Sequence, residues 1–94
     1  MAVTLKFVGA LRRAAGAEEL AFNCQEGASL MDLLNALTQA LPALRRSLLD
    51  ENLEAPKTTA LMLVNSREIS VLNGLETKVK DGDEVVFVPI VHGG

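Results

Sequence analysis

Few residues in this chain could do chemistry of their own. Nucleophilic catalysis needs a nucleophile, a base and an orienting group within hydrogen-bond reach, and the candidates reduce to one cysteine, Cys24, and one histidine, His92. Cys24 alternates with Leu20 and Phe22 on an apolar face, which predicts a small buried hydrophobe, with a reactive thiol or persulfide relay as the alternative. His92 lies near the chain end, where an untethered segment cannot hold a catalytic imidazole, so it is expected to be a solvated residue or a partner contact. One Cys and one His cannot build the usual metal cage, and Asp81 and Asp83 lack calcium-loop spacing, so no metal is expected. Neither G-x-x-x-x-G-K-S/T nor G-x-G-x-x-G occurs, which leaves no recognisable cradle for a nucleotide or dinucleotide. With no convergent acid, base and nucleophile, a small enzyme is the least expected reading.

What remains is the segment Val88-Pro89-Ile90-Val91-His92-Gly93-Gly94. A strand running to Pro89 leaves a flexible tail that, at about 3.3–3.6 Å per residue, can carry a terminal carboxylate some 15 to 20 Å clear of the fold. Gly93 and Gly94 lack side chains, so a narrow channel can close around the backbone and the last carbonyl is open to attack on either face. A carboxylate becomes a good electrophile only when its oxygen becomes a leaving group. Adenylation by ATP does this, and without a nucleotide site here another protein must perform it.

The elements that must position this tail follow from periodicity. Val3 to Val8 alternates as a half-buried strand, and Glu19 to Cys24 alternates again, the two joined by the Ala-rich link Gly9 to Gly16. Ser29 with Asp32 reads as a capping box ahead of Leu30, Leu33, Leu34, Leu37 and Leu41, one apolar helix face that Pro42 should stop. Ala43 to Leu49 fits a short second helical stretch, and Asp50 to Lys57 a surface loop. Thr58 to Val64 is a third strand ending in the turn formers Asn65 and Ser66; Glu68 to Leu72 is a short fourth strand and Asn73-Gly74 a tight turn. Leu75 and Val79 are apolar plugs, and the Asp81-Gly82 turn precedes a last strand, Glu84 to Pro89. The fold class is α+β: a mixed sheet of about five strands with one main helix packed on one face, a single domain over residues 1–94 with 89–94 as its tail.

Alternation also divides the strands between two faces. If Val3, Leu5, Phe7, Val85 and Phe87 face the helix, Val8, Val86 and Val88 point away from it, and Leu63 joins them when Met62 and Val64 point inward. Such an apolar patch beside the tail, continued by Ile90 and His92, is a candidate partner-binding surface.

Composition narrows the partners. The 94 residues are 49% hydrophobic and 22% charged, which excludes a disordered tail or a fibrous repeat. A net charge of −3 with no Trp or Tyr argues against nucleic acid, since binding a polyanion needs a clustered basic face. The pairs Arg12/Arg13 and Arg45/Arg46 are expected on solvated surface, with docking to an acidic partner as the alternative. No stretch of 18 apolar residues and no signal-peptide order occurs, and a lone cysteine suits a reducing compartment, so no membrane partner and a cytoplasmic location are expected.

Phe7-Val8-Gly9-Ala10-Leu11-Arg12, Leu63-Val64-Asn65, Asn73-Gly74-Leu75-Glu76-Thr77, Asp81-Gly82-Asp83-Glu84-Val85 and the closing Pro89-Ile90-Val91-His92-Gly93-Gly94 stand in one order along nearly the whole chain. In that order they resemble the MoaD/ThiS-type sulfur carriers, ubiquitin-like β-grasp proteins ending in Gly-Gly, and in particular the longer MoaD-like branch. The resemblance implies that a ubiquitin-activating-like adenylyltransferase adenylates Gly94, using ATP that the carrier does not itself bind. A sulfur donor then converts Gly94 to a thiocarboxylate. An acceptor such as a molybdopterin-synthase large subunit or a cysteine-synthase-like enzyme takes the sulfur for cofactor or amino-acid biosynthesis. The resemblance thus implies a protein co-substrate and not an enzyme, at most the small subunit of a molybdopterin-synthase-like complex. Valine at 8 and 88, where the molybdopterin carriers often place aromatics, and Ile90 in place of a frequent second proline depart from the pterin branch. A ubiquitin-like modifier joined to lysines through Gly94 and a non-covalent interaction module stand as alternatives.

Overall fold

The computed structural model describes residues 1–50, 57–58 and 60–90, and the side chains of 1–48 and 60–90. The elements run β1 (Ala2–Phe7), α1 (Leu11–Ala15), β2 (Glu19–Asn23), α2 (Leu30–Ala40), α3 (Pro42–Leu48), β3 (Leu49–Asp50), β4 (Lys57–Thr58), β5 (Ala60–Val64), β6 (Arg67–Glu68) and β7 (Glu84–Pro89). Two short 3-10 turns, Ile69–Val71 and Gly74–Glu76, separate β6 from β7. The five-stranded sheet has the order β2-β1-β7-β5-β6, with β1 and β7 parallel and the other pairs antiparallel. It is the α+β architecture expected, with α2 as the main helix.

The capping box is formed. The Ser29 hydroxyl accepts from the Asp32 N–H at 3.1 Å and the Asp32 carboxylate accepts from the Ser29 N–H at 3.0 Å, so two donors at the helix start are satisfied reciprocally. Leu30, Leu33, Leu34 and Leu37 are then buried against Val3, Leu5, Phe7, Met62, Val85 and Phe87 from the sheet. The rings of Phe7 and Phe87 stack with centroids 5.3 Å apart, on the central parallel pair. Each such side chain contributes roughly 1.5–3 kcal/mol relative to exposure, so this one layer of contacts holds helix to sheet.

Several expectations are corrected. The link from Gly9 to Gly16 contains α1, whose Leu11 and Ala15, four apart, are buried while Arg12 and Arg13 are exposed. The stretch Asp50 to Lys57 is not all loop: Leu49 pairs with Thr58 and Asp50 with Lys57, while 51–56 lie outside the described residues. Thr58 thus belongs to β4, and the third long strand begins at Ala60. Glu68 to Leu72 does not continue as a strand. Only Arg67 and Glu68 pair with β5; the Glu68 carboxylate then accepts from the Ser70 N–H and turns the chain into a 3-10 turn. Asn73-Gly74 does make a tight turn, which opens the second 3-10 turn.

The Asn65-Ser66 turn is a two-residue hairpin with φ of 50° and 71°, and it does more than reverse the chain. Asn65 donates from Nδ2 to Asp83 and accepts at Oδ1 from the Glu84 N–H, both at 3.0 Å. The Asp81 carboxylate accepts from the Ala2 N–H at 2.8 Å. The start of β7 is therefore pinned to both neighbours, which fixes its register and the point at which it ends.

Candidate functional site

β7 carries the segment of interest, and its alternation places residues on opposite faces of the sheet. Val85 and Phe87 are buried under α2, whereas Val86 and Val88 are half-buried on the side that none of the described helices covers. Register brings the outer residues together: Leu63 lies opposite Val86, and Leu61 opposite Val88. Val8 lies just past the end of β1, 38% exposed, and its N–H donates to the Phe87 carbonyl at 3.0 Å, extending the β1–β7 pairing by one bond. Ile90, directly after β7, is 45% exposed. Val8, Leu63, Val86, Val88 and Ile90 thus lie on or beside one apolar surface of the sheet. His92, Gly93 and Gly94 lie outside the described residues.

One residue of this surface escapes sequence reasoning. Leu61 is 38% exposed and pairs directly with Val88, nearer the end of β7 than Leu63. Its signal was present, since Leu61 and Leu63 are two apart around the inward Met62. The patch has a charged border: Lys6 and Glu84, on the same face, form an ion pair at 3.0 Å that raises the Lys6 pKa through the hydrogen bond to Glu84. An apolar centre with a polar rim is the anatomy of a protein-docking surface.

Cys24 is only half-buried, less than predicted, yet it packs against the core together with Leu20 and Phe22. Burial raises its thiol pKa, opposed by the nearby N-terminal charge, so the thiolate that would react is disfavoured. It lines a cavity of about 410 Å³ with Gln25, Asp32 and Leu33. The Asp32 carboxylate there is committed to Ser29. Among the described residues, no cluster of three or more His, Cys, Asp or Glu side chains could hold a metal ion, and every buried side-chain polar atom has a partner. Nor is any helix among them long and apolar enough to cross a membrane.

The fold is the ubiquitin-like β-grasp, in a class of small carrier and modifier proteins that are not enzymes. Within that class the chain belongs to the ThiS family, whose model matches residues 5–94. It is 29% identical over 94 residues to the small archaeal modifier protein 3 of Haloferax volcanii, covering 100% of both chains. Its structure resembles the solution structure of small archaeal modifier protein 1 from Methanosarcina acetivorans, with a TM-score of 0.81 and 37% identity over 99% of this chain and 96% of that one. A TM-score of 0.73 with 27% identity relates it, over 98% of this chain and 99% of that one, to a chain in the crystal structure of the Amycolatopsis orientalis BexX/CysO complex. The chain is therefore a sulfur carrier of ThiS/MoaD type or a ubiquitin-like modifier of the small archaeal kind.

Proposed function

We propose that this chain is a sulfur carrier whose reactive atom is the acyl carbon of Gly94. The observation that carries the proposal is the family match itself, which spans β7 and continues through Gly93 and Gly94 to residue 94. A carboxylate oxygen of Gly94 attacks the α-phosphorus of ATP held by a ubiquitin-activating-like partner, and pyrophosphate leaves. Hydrosulfide from a sulfur donor then attacks the acyl carbon, the acyl–phosphate bond breaks and AMP leaves, giving the thiocarboxylate and a released proton. That sulfur, softer and more nucleophilic than oxygen, passes to an acceptor enzyme in cofactor biosynthesis of the molybdopterin type or in amino-acid biosynthesis. The carrier binds no cofactor of its own. Leu61, Leu63, Val86 and Val88 dock on the partner, with Val8 and Ile90 beside them and His92, within the tail, as a further contact.

The test is intact-mass analysis after incubation with the organism's activating enzyme, ATP and a sulfide source. An oxygen-to-sulfur mass increase confined to the C-terminal peptide is expected, and an unchanged mass argues against the carrier. A second outcome has its own support, because the full-length relative in Haloferax volcanii is named a modifier protein. As a modifier, the chain would form an isopeptide bond between Gly94 and target lysines, visible as higher-mass conjugates that vanish when Gly94 is deleted.

A further inference from the structure

We propose that Gly9 is a positioning residue for activation: it is the seat on which Pro89 rests, and it sets the direction in which the chain leaves the sheet. Gly9, Gly16, Gly27, Gly74 and Gly82 all have positive φ, so each suits glycine on backbone grounds. They differ in what a side chain would meet. A Cβ added at Gly9 would lie 3.3 Å from Cγ of Pro89 and 3.9 Å from its Cδ, whereas at the other four it would meet nothing within 4 Å. A side chain at Gly9 would thus press on a proline ring from the last strand, 80 positions away in the sequence, and the ring would have to shift by a few tenths of an ångström.

The rest of the rim is built to match. Pro89 pairs with the buried Ala60 on the β5 side, while Gly9 closes the β1 side. The Gly9 turn is itself tied down, its carbonyl accepting from the Arg12 N–H at 3.1 Å while the Val8 N–H holds the Phe87 carbonyl at 3.0 Å. Proline fixes its own φ near −65° and confines the preceding Val88 to extended geometry. A proline packed on Gly9 and paired in register with Ala60 therefore fixes the backbone from which Ile90 continues. Less orientational freedom is then lost when Gly94 enters an adenylation site.

This inference rests on Gly94 being the adenylated group, and the experiment separates the two. Steady-state adenylation by the organism's activating enzyme is measured for the native chain, Gly9→Ala, Gly16→Ala, Pro89→Ala and Gly9→Ala/Pro89→Ala. Gly16→Ala carries the same left-handed backbone strain without a contact, and serves as the control. Gly9→Ala should lower kcat about tenfold while KM moves less than about twofold, since misplacement of a reacting group costs rate more than docking. Gly16→Ala should stay within about twofold in both constants, because strain alone does not redirect the tail. In the Pro89→Ala background, Gly9→Ala should cause no further loss. Equal losses in Gly9→Ala and Gly16→Ala, or an undiminished Gly9→Ala effect without the proline ring, overturn the proposal. Should Gly9→Ala not fold, Pro89→Ala by itself must lower kcat, or the seat has no role. If even the native chain is not adenylated, the function fails and not this inference. The amide resonance of Ile90 then decides, moving in Gly9→Ala but not in Gly16→Ala if the seat is real and unmoved in both if it is not.

Discussion

The two faces of the sheet are built from the same strands and the same residue types, yet they do opposite work. In β7, Val85 and Phe87 are sealed beneath α2 while Val86 and Val88, their immediate neighbours, remain half-buried with none of the described helices above them. In β5 the same split separates Met62 and Val64 from Leu61 and Leu63. An apolar residue on the covered face stabilises the fold. One on the open face stays partly in water and adds less, and under the proposed function a partner would complete its burial.

The largest effect should come from the covered face. Phe87→Ala removes a ring stacked on Phe7 and should cost about 3–5 kcal/mol in urea unfolding, a large share of a small domain's stability. On the open face, Val88→Asp, at a half-buried position, should cost about 1–2 kcal/mol, less than Phe87→Ala, yet lower kcat/KM for adenylation at least about tenfold by placing a charge in the centre of the proposed docking patch. The comparison breaks if both substitutions unfold the protein, or if Val88→Asp is activated as well as the native chain.

The covered face was the more legible of the two. Leu30, Leu33, Leu34 and Leu37 declared one helix stripe, and Ser29 with Asp32 declared its start, because hydrophobic period and capping are local signals. The β7 span was likewise readable, since Val85 and Phe87 alternate with Val86 and Val88 between a turn and a proline. α1 was hidden because five residues are too few to show a helical period, although Leu11 and Ala15 sit one turn apart. Glu68 to Leu72 misled because β-branched composition favours a strand, whereas a single carboxylate hydrogen bond to Ser70 bends the chain away. Neither the Leu61–Val88 pair nor the Gly9–Pro89 contact was readable, because each depends on the register between strands distant in sequence.

Smaller effects sharpen the contrast further. Ser29→Ala should destabilise by about 1 kcal/mol through loss of the N-cap and leave activation untouched, since the cap serves only the covered side. The Ser29 backbone N–H, helped by the Ser29 side chain, holds the Asp32 carboxyl below its ordinary value. A folded pKa below the unfolded one makes this contribution present above the unfolded value and lost as pH falls through the folded one. Asp32→Ala should therefore flatten the acid limb of the melting temperature against pH, and an unaltered limb would show the cap to be silent. Smallest of all, Cys24→Ala should leave adenylation within about twofold, and the native thiol should alkylate more slowly than free cysteine at pH 8, because burial raises its pKa.

The most direct test asks whether the chain's last carboxylate is the group activated. Pyrophosphate exchange by the organism's activating enzyme should proceed with the native chain and be abolished when one residue is appended after Gly94, although binding through the open face persists. Equal exchange by both chains would contradict the account, because the reacting group could not then be the carboxylate of Gly94.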